Sequence, residues 1–213
     1  MKHIKATISI GLAAASFLVT TAPAFAAVID FESFNLGGQP FLDVSSPLLF
    51  NNVGGSGVNV SIMQGADLRV YDLFQFGHDP TATGQALIDW PFPNGANTVG
   101  TTILFDTPLS HFSLRAGDFG GDDDSPLIIT AFDAANNVIG TSSTAWPAPQ
   151  NPPFALLSIN APGIRRVVYS SGGTFSGSTF IDDITFTPVP EPSTLALFGL
   201  AISGLALLRR KTA

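Results

Sequence analysis

The chain has 213 residues, no cysteine, 18 phenylalanines and only 12% charged residues. That length allows one domain plus targeting segments. The missing cysteines exclude disulfides and thiolate metal sites, leaving an apolar core, or hard cations held by oxygen, as sources of stability. The formal net charge is −7, unevenly spread: between Ala27 and Pro190 four arginines (Arg69, Arg115, Arg165, Arg166) face fifteen acids and no lysine stands, a formal −11 that excludes nucleic acid as a partner and favours cations or neutral glycans.

At the start, Lys2 and Lys5 precede an apolar stretch over residues 8–20, and Ala24-Phe25-Ala26 puts small residues at the two positions a signal peptidase inspects. Residues 1–26 therefore read as a signal helix, with cleavage expected after Ala26. Strand-like pieces follow at 28–33, 58–63, 68–74, 86–90, 101–105, 111–116, 127–133, 138–143, 154–159, 164–169 and 180–186. Turn clusters separate them, such as Gly54-Gly55-Ser56-Gly57 and Pro91-Phe92-Pro93-Asn94-Gly95, and Asn136-Asn137 reads as the tip of a hairpin. Short strands at this spacing without helical periodicity predict an all-β body over 27–187, an antiparallel, jelly-roll-like β-sandwich. No internal repeat or second domain is visible within it.

Three acidic places stand out. In "VIDFES", a strand would put Asp30 and Glu32 on one side and Ile29 and Phe31 on the other. "GDFGGDDD" gathers Asp118, Asp122, Asp123 and Asp124 around Gly120 and Gly121. In "FIDDITF", Asp182 shares parity with Phe180, Ile184 and Phe186, so it should point toward the apolar side and Asp183 away. A buried carboxylate must be hydrogen-bonded, protonated or metal-bound. Calcium takes six to eight oxygens and suits carboxylates in flexible loops, so these eight acids are candidate Ca2+ ligands. The competing reading is a set of solvated turns capped by Asp.

Aromatic residues supply a second set of candidates. Tyr71, Trp90 and Trp146 could stack on sugar rings, Trp146 from a Pro-rich loop and Trp90 otherwise as core. Catalytic signatures are missing: His78 and His111 lie on separate elements, and neither H-E-x-x-H nor G-x-S-x-G occurs. A glycoside hydrolase needs only two carboxylates, so that class stays open as a minor alternative.

The chain closes on Pro190-Glu191-Pro192, an apolar run ending at Leu208, and Arg209-Arg210-Lys211. Residues 193–208 are expected to form a short transmembrane helix, about 24 Å long at the usual helical rise, with the basic end cytoplasmic. This order resembles the PEP-CTERM sorting signal of Gram-negative bacteria over residues 188–213, with Pro190, Glu191 and Pro192 at the motif positions. The resemblance implies processing by an exosortase after signal peptidase has acted, an inner-membrane intermediate, and delivery to the cell surface or outside the cell. It also implies association with extracellular polysaccharide. More weakly, an acid on the first strand and an Asp on the last resemble the calcium-stapled sandwiches of carbohydrate-binding modules and galactose-binding-like domains. That resemblance implies that first and last strands are neighbours, with Asp30 or Glu32 meeting Asp182 or Asp183. The expectation is an exported, non-catalytic surface or matrix protein, with carbohydrate binding as the alternative.

Overall fold

The computed structural model describes residues 25–64, 67–73, 84–90, 100–118, 126–144, 154–172, 179–190 and 199. Eleven strands run through them: β1 (Ala27–Ile29), β2 (Phe41–Val44), β3 (Leu48–Phe50), β4 (Val60–Met63), β5 (Asp67–Asp72), β6 (Gln85–Trp90), β7 (Thr101–Asp118), β8 (Leu127–Phe132), β9 (Val138–Thr144), β10 (Ala155–Ser171) and β11 (Thr179–Pro188). Every pairing among them is antiparallel. The hydrogen-bonded order is β2-β5-β6-β11-β7-β10-β8-β9, with β1 on β11 and the β3–β4 hairpin on β7. The expected all-β body is therefore present, and residues 24–189 form one compact unit. Of the expected flanking helices only residues 25, 26 and 199 are described, the first two without regular structure and Gly199 as helical; the rest lie outside the described residues. Among the described residues no helix is long and apolar enough to cross a membrane.

The sandwich is made by bending. The sequence suggested separate strands at 101–105 and 111–116, and again at 154–159 and 164–169; each pair is one long strand, β7 and β10. The two pair with each other along most of their length but lose register between Asn160 and Arg166, opposite the segment from Leu104 to His111. Pro108, Pro162 and Gly163 (φ 92°) occupy that stretch, where a continuous ladder is hardest to keep. On one side of the bend β7 pairs with β4, and on the other with β11. The sheet folds over its own core there. Phe105, before the bend, lies 5.8 Å from Phe112 and 5.4 Å from Phe186 beyond it. β9 comes down on β10 so closely that a side-chain carbon on Gly140 would sit 2.6 Å from Ile159 Cγ2.

The main core takes Ile62, Val70, Leu87, Ile103, Phe112, Leu114, Ile129, Val167, Ile184 and Phe186 among others. A smaller cluster, Tyr71, Leu73, Ala86, Ile88 and Phe180 with Phe41 and Phe154 against it, occupies the other side of the β5–β6–β11 region. Strand alternation explains the division: Val70 and Leu87 enter the main core while their neighbours Tyr71, Ala86 and Ile88 enter the second. The Asn136-Asn137 hairpin forms as expected. Asn136 sits at φ 63°, and Asp133 accepts the backbone N–H groups of Ala135 (2.8 Å) and Asn137 (2.9 Å).

Gly100, which leads into β7, adopts φ 68°, and a side-chain carbon there would stand 2.5 Å from the Tyr169 carbonyl oxygen. Both the backbone conformation and the paired strand exclude a side chain. Gly100→Ala is expected to destabilise the fold by about 1–3 kcal/mol, read as a lower urea midpoint at unchanged slope.

Candidate functional site: the junction of first and last strands

β11 is the strand on which the ends of the body meet. β7 lines one of its edges from Thr179 to Pro188. The other edge is shared end to end: β1 pairs with residues 184–186, and β6 with Phe180 and Ile181. First and last strands are therefore neighbours. Where β1 hands over to β6, β11 carries Asp182 and Asp183.

A bulge marks that point. Asp182 pairs with Arg115 and Thr185 with Ser113, so Asp183 and Ile184 together oppose only Leu114. Asp183 takes up the irregularity at φ 47°. The extra residue changes which face each side chain meets. Ile181 enters the main core before the bulge, and Ile184 and Phe186 enter it after. Phe180 goes to the second cluster. Asp182 is buried as expected, at 8% exposure, but the parity argument fails. By the alternation before the bulge, Asp182 belongs to the face of Phe180, not to that of Ile184 and Phe186. The signal was present in the sequence: Phe180 and Ile181 are consecutive apolar residues, and Ile181 is out of phase with Ile184 and Phe186.

The first acidic stretch also differs from expectation. β1 stops at Ile29, and Phe31, buried at 1% exposure, turns the chain at φ 59°. Asp30 and Glu32 therefore belong to a turn, not to a strand face. Asp30 Oδ1 accepts the Glu32 N–H at 3.3 Å. Glu32 reaches across to the start of β6, where Oε1 accepts the Gln85 N–H at 2.7 Å. Gly84, at φ 99°, makes room for it, since a side-chain carbon there would collide with Glu32 Oε1.

The electrostatics of the junction are uneven. Asp183 Oδ2 accepts from Arg115 Nη1 at 3.2 Å, and the same guanidinium lies 4.6 Å over the Phe154 ring. Asp182 accepts the Asp183 N–H at 2.7 Å. Its carboxyl is pushed up to about 7, first by burial and then by the Asp183 and Glu32 charges, against which the Asp183 N–H and Arg115 pull it down. Asp182 is thus a buried acid with two acidic neighbours, and the nearest cation is already paired. A bound cation would relieve this arrangement. As a calcium shell it is partial: Glu32 and Asp182 offer two side-chain donors, and among the described residues no group of three or more acids or histidines converges. The remaining oxygens would come from backbone or water, since Asp183 is tied to Arg115.

The other candidates are scattered. Asp118 ends β7 and pairs through its backbone with Thr179, three residues from Asp182, but its side chain and Asp122, Asp123 and Asp124 lie outside the described residues. The same is true of the Trp90 side chain, His78 and Trp146. Tyr71 is no sugar platform: it is 1% exposed and packs 5.3 Å from Phe41. His111 lies well inside β7, its Nδ1 2.8 Å from Asn160 Oδ1.

The sequence reasoning missed a groove on the open side of the sandwich. β1 and β3 each pair on one edge only among the described strands. Between them is a hollow of about 480 Å³ whose walls include Val28, Asp30, Ser33, Phe50, Asn51 and Asn52. A second hollow of about 270 Å³, beside Asn59, Ser61 and Asp106, shares Leu49 and Asn51 with it. The signal was weak because β2 and β3 are three or four residues long and escape pattern reading.

Comparison with known proteins places the tail. The PEP-CTERM protein-sorting motif matches residues 188–211. All six expected sorting residues, Pro190, Glu191, Pro192, Arg209, Arg210 and Lys211, fall within it; Pro190 alone of them is among the described residues, and it is exposed. No curated protein matches the chain. Among solved structures it is similar to a DUF4465 family protein from Bacteroides caccae (12% identity, 78% of this chain and 100% of that one, TM-score 0.47). It is also similar to a family 6 carbohydrate-binding module (13%, 76% and 94%, TM-score 0.32) and to the K2 cleaved adhesin domain of Lys-gingipain (12%, 76% and 99%, TM-score 0.36). The sorting motif marks the chain as an exported protein processed through exosortase.

Proposed function

We propose that this exported chain is a non-catalytic component of the cell surface or extracellular matrix, whose sandwich is held closed by a divalent cation, calcium, at the junction of its first and last strands. The observation that carries the export is the sorting motif over residues 188–211. The cation reading is supported by Asp182, which is buried beside Glu32 and Asp183 with its ionisation opposed. Glu32 and Asp182 would hold the ion, and the ion would tie the turn after β1 to β11. Its role is structural, joining the two ends of the body. A second reading, binding of neutral extracellular polysaccharide, is favoured by the groove between β1 and β3.

The sorting step has a direct test. Replacing Pro190, Glu191 and Pro192 by alanine in the native host should leave the chain cell-associated, with its C-terminal residues retained by mass spectrometry, while the unaltered chain loses them. An unaltered surface form that keeps Arg209-Arg210-Lys211 would contradict exosortase processing. Turnover of glycosidic or ester substrates by the purified chain would contradict the non-catalytic reading.

A further inference from the structure

We infer that the groove between β1 and β3 is a saccharide-binding site, with Asn51 as its principal hydrogen-bonding group and Leu49, Val28 and Phe50 as its apolar walls. This deepens the polysaccharide reading above and rests on it. The two hollows meet at Leu49 and Asn51, which wall both. Together they run from Asp30 and Ser33 across β3 to Ser61 and Asp106. The larger hollow, about 480 Å³, falls in the range of small-ligand clefts, roughly 300–1,000 Å³.

The wall chemistry selects the ligand class. Leu49 is 62% exposed and Val28 49% exposed, an unusual surface position for large aliphatic residues on both sides of one groove. Such walls suit the C–H faces of a sugar ring. The polar groups are carboxamides, two serine hydroxyls and carboxylates, which between them donate to and accept from hydroxyl groups. No lysine or arginine lines either hollow, and the body carries four arginines against fifteen acids. An anionic ligand would meet one guanidinium at the margin, Arg165, which donates to the Asp106 carbonyl, and otherwise the repulsive field of the acids. A neutral, hydroxyl-rich ligand does not meet that obstacle.

The groove is held by side chains committed to the frame, which leaves Asn51 for a ligand. Asn52 Oδ1 accepts the Gly57 N–H at 2.8 Å, and Asn59 Oδ1 accepts the Asn52 N–H at 2.9 Å. Asn59 Nδ2 donates to Asp106 Oδ2 at 2.6 Å. Gly54 lies against Ala27, fixing the turn after β3 to the start of β1. Below, Phe31 and Phe34 brace Phe50 edge-on at 6.0 and 6.4 Å. An extended peptide added to the strand edges is the competing occupant. β1 and β3 offer only three residues each, less than the usual five- or six-residue strand, so the observations favour the saccharide.

The test uses the full chain in detergent, probed against an array of neutral and anionic bacterial polysaccharides and their oligosaccharides, with calcium held constant. Neutral glycans should bind, with little dependence on salt. Asn51→Ala and Leu49→Ala should each weaken that binding at least tenfold at unchanged melting temperature, and Ser33→Ala is a third variant outside the strands. Glycan binding that survives all three substitutions would overturn the site while leaving the polysaccharide reading intact. Binding to no glycan would overturn both, and preference for anionic glycans or for extended peptides would overturn the ligand class.

Discussion

With calcium chelated, the body is expected to lose stability as pH rises from 5 to 8, and calcium is expected to restore it at pH 8 while changing little at pH 5. The expectation comes from Asp182, whose carboxyl is pushed up to about 7 by burial and by the neighbouring Asp183 and Glu32 charges. An acid with a folded pKa above its unfolded value stabilises the fold through its proton. That stabilisation is complete below the unfolded value near pH 4 and is lost as pH climbs through the folded value near 7. The gap amounts to at most on the order of 4 kcal/mol. For a body of this size that is a fall in melting temperature of roughly 5–15 °C. Asp133 is held below the usual carboxylate range by the Asn137 side chain and backbone; its contribution is lost only as pH falls below that range, outside the window of the measurement.

Calcium reverses the sign because it takes the ionised carboxylate. At a hundred to a thousand times its dissociation constant, an ion that binds only the folded state adds about 3–4 kcal/mol. Asp182→Asn separates the effects. It removes the ionisation, so the chelated variant should melt higher than the unaltered protein at pH 8 and show a flatter pH profile, and it should lose the calcium response. Scanning calorimetry at pH 5 and pH 8, with calcium and with chelator, reads all of these. A calcium response that persists in Asp182→Asn places the ion elsewhere; a flat pH profile in the unaltered protein removes the buried acid from the account.

What the sequence disclosed follows the physics of its signals. Strands with a sustained apolar pattern, such as β8 with Leu127, Ile129 and Ala131 on one face, were readable to within a residue or two. β2 and β3 were not, because three or four residues carry no period. The continuity of β7 and β10 was hidden because Pro108 and Pro162-Gly163 look like strand ends but act as bends within one ladder. Asp182 was identified as the notable acid through an argument whose geometry was wrong: a bulge resets the alternation, and which face a residue meets after a bulge depends on its partners, not on local parity. Tyr71 looked available for a ligand because a tyrosine between polar Arg69 and Asp72 carries no mark of burial; the second cluster that buries it draws on Ile88 and Phe180, distant in sequence. The groove depends on two strand edges that approach only in the fold.

The largest loss of stability should come from β11. It lies between β6 and β7 in the sheet and also holds β1. Its Ile181, Ile184 and Phe186 are 2%, 0% and 0% exposed. Phe186→Ala deletes a ring packed 5.4 Å from Phe105 and should cost about 3–5 kcal/mol, roughly a fifth or more of the stability of a body with the usual 5–15 kcal/mol. Val138→Ala on β9, where the side chain is 59% exposed, should change stability by less than about 0.5 kcal/mol. Urea unfolding of the two variants beside the unaltered protein tests the contrast, and a loss under 1 kcal/mol for Phe186→Ala would remove β11 from its central place. A chain ended at Gly172 should not fold at all, since β6, β7 and β1 would each lack a partner. The last ladder pair is Pro188 with Leu109, and the Val189 N–H donates to the Pro108 carbonyl at 2.8 Å, one residue before Pro190. The sheet therefore cannot close until the chain is complete through β11, whose ladder with β7 ends at Pro188.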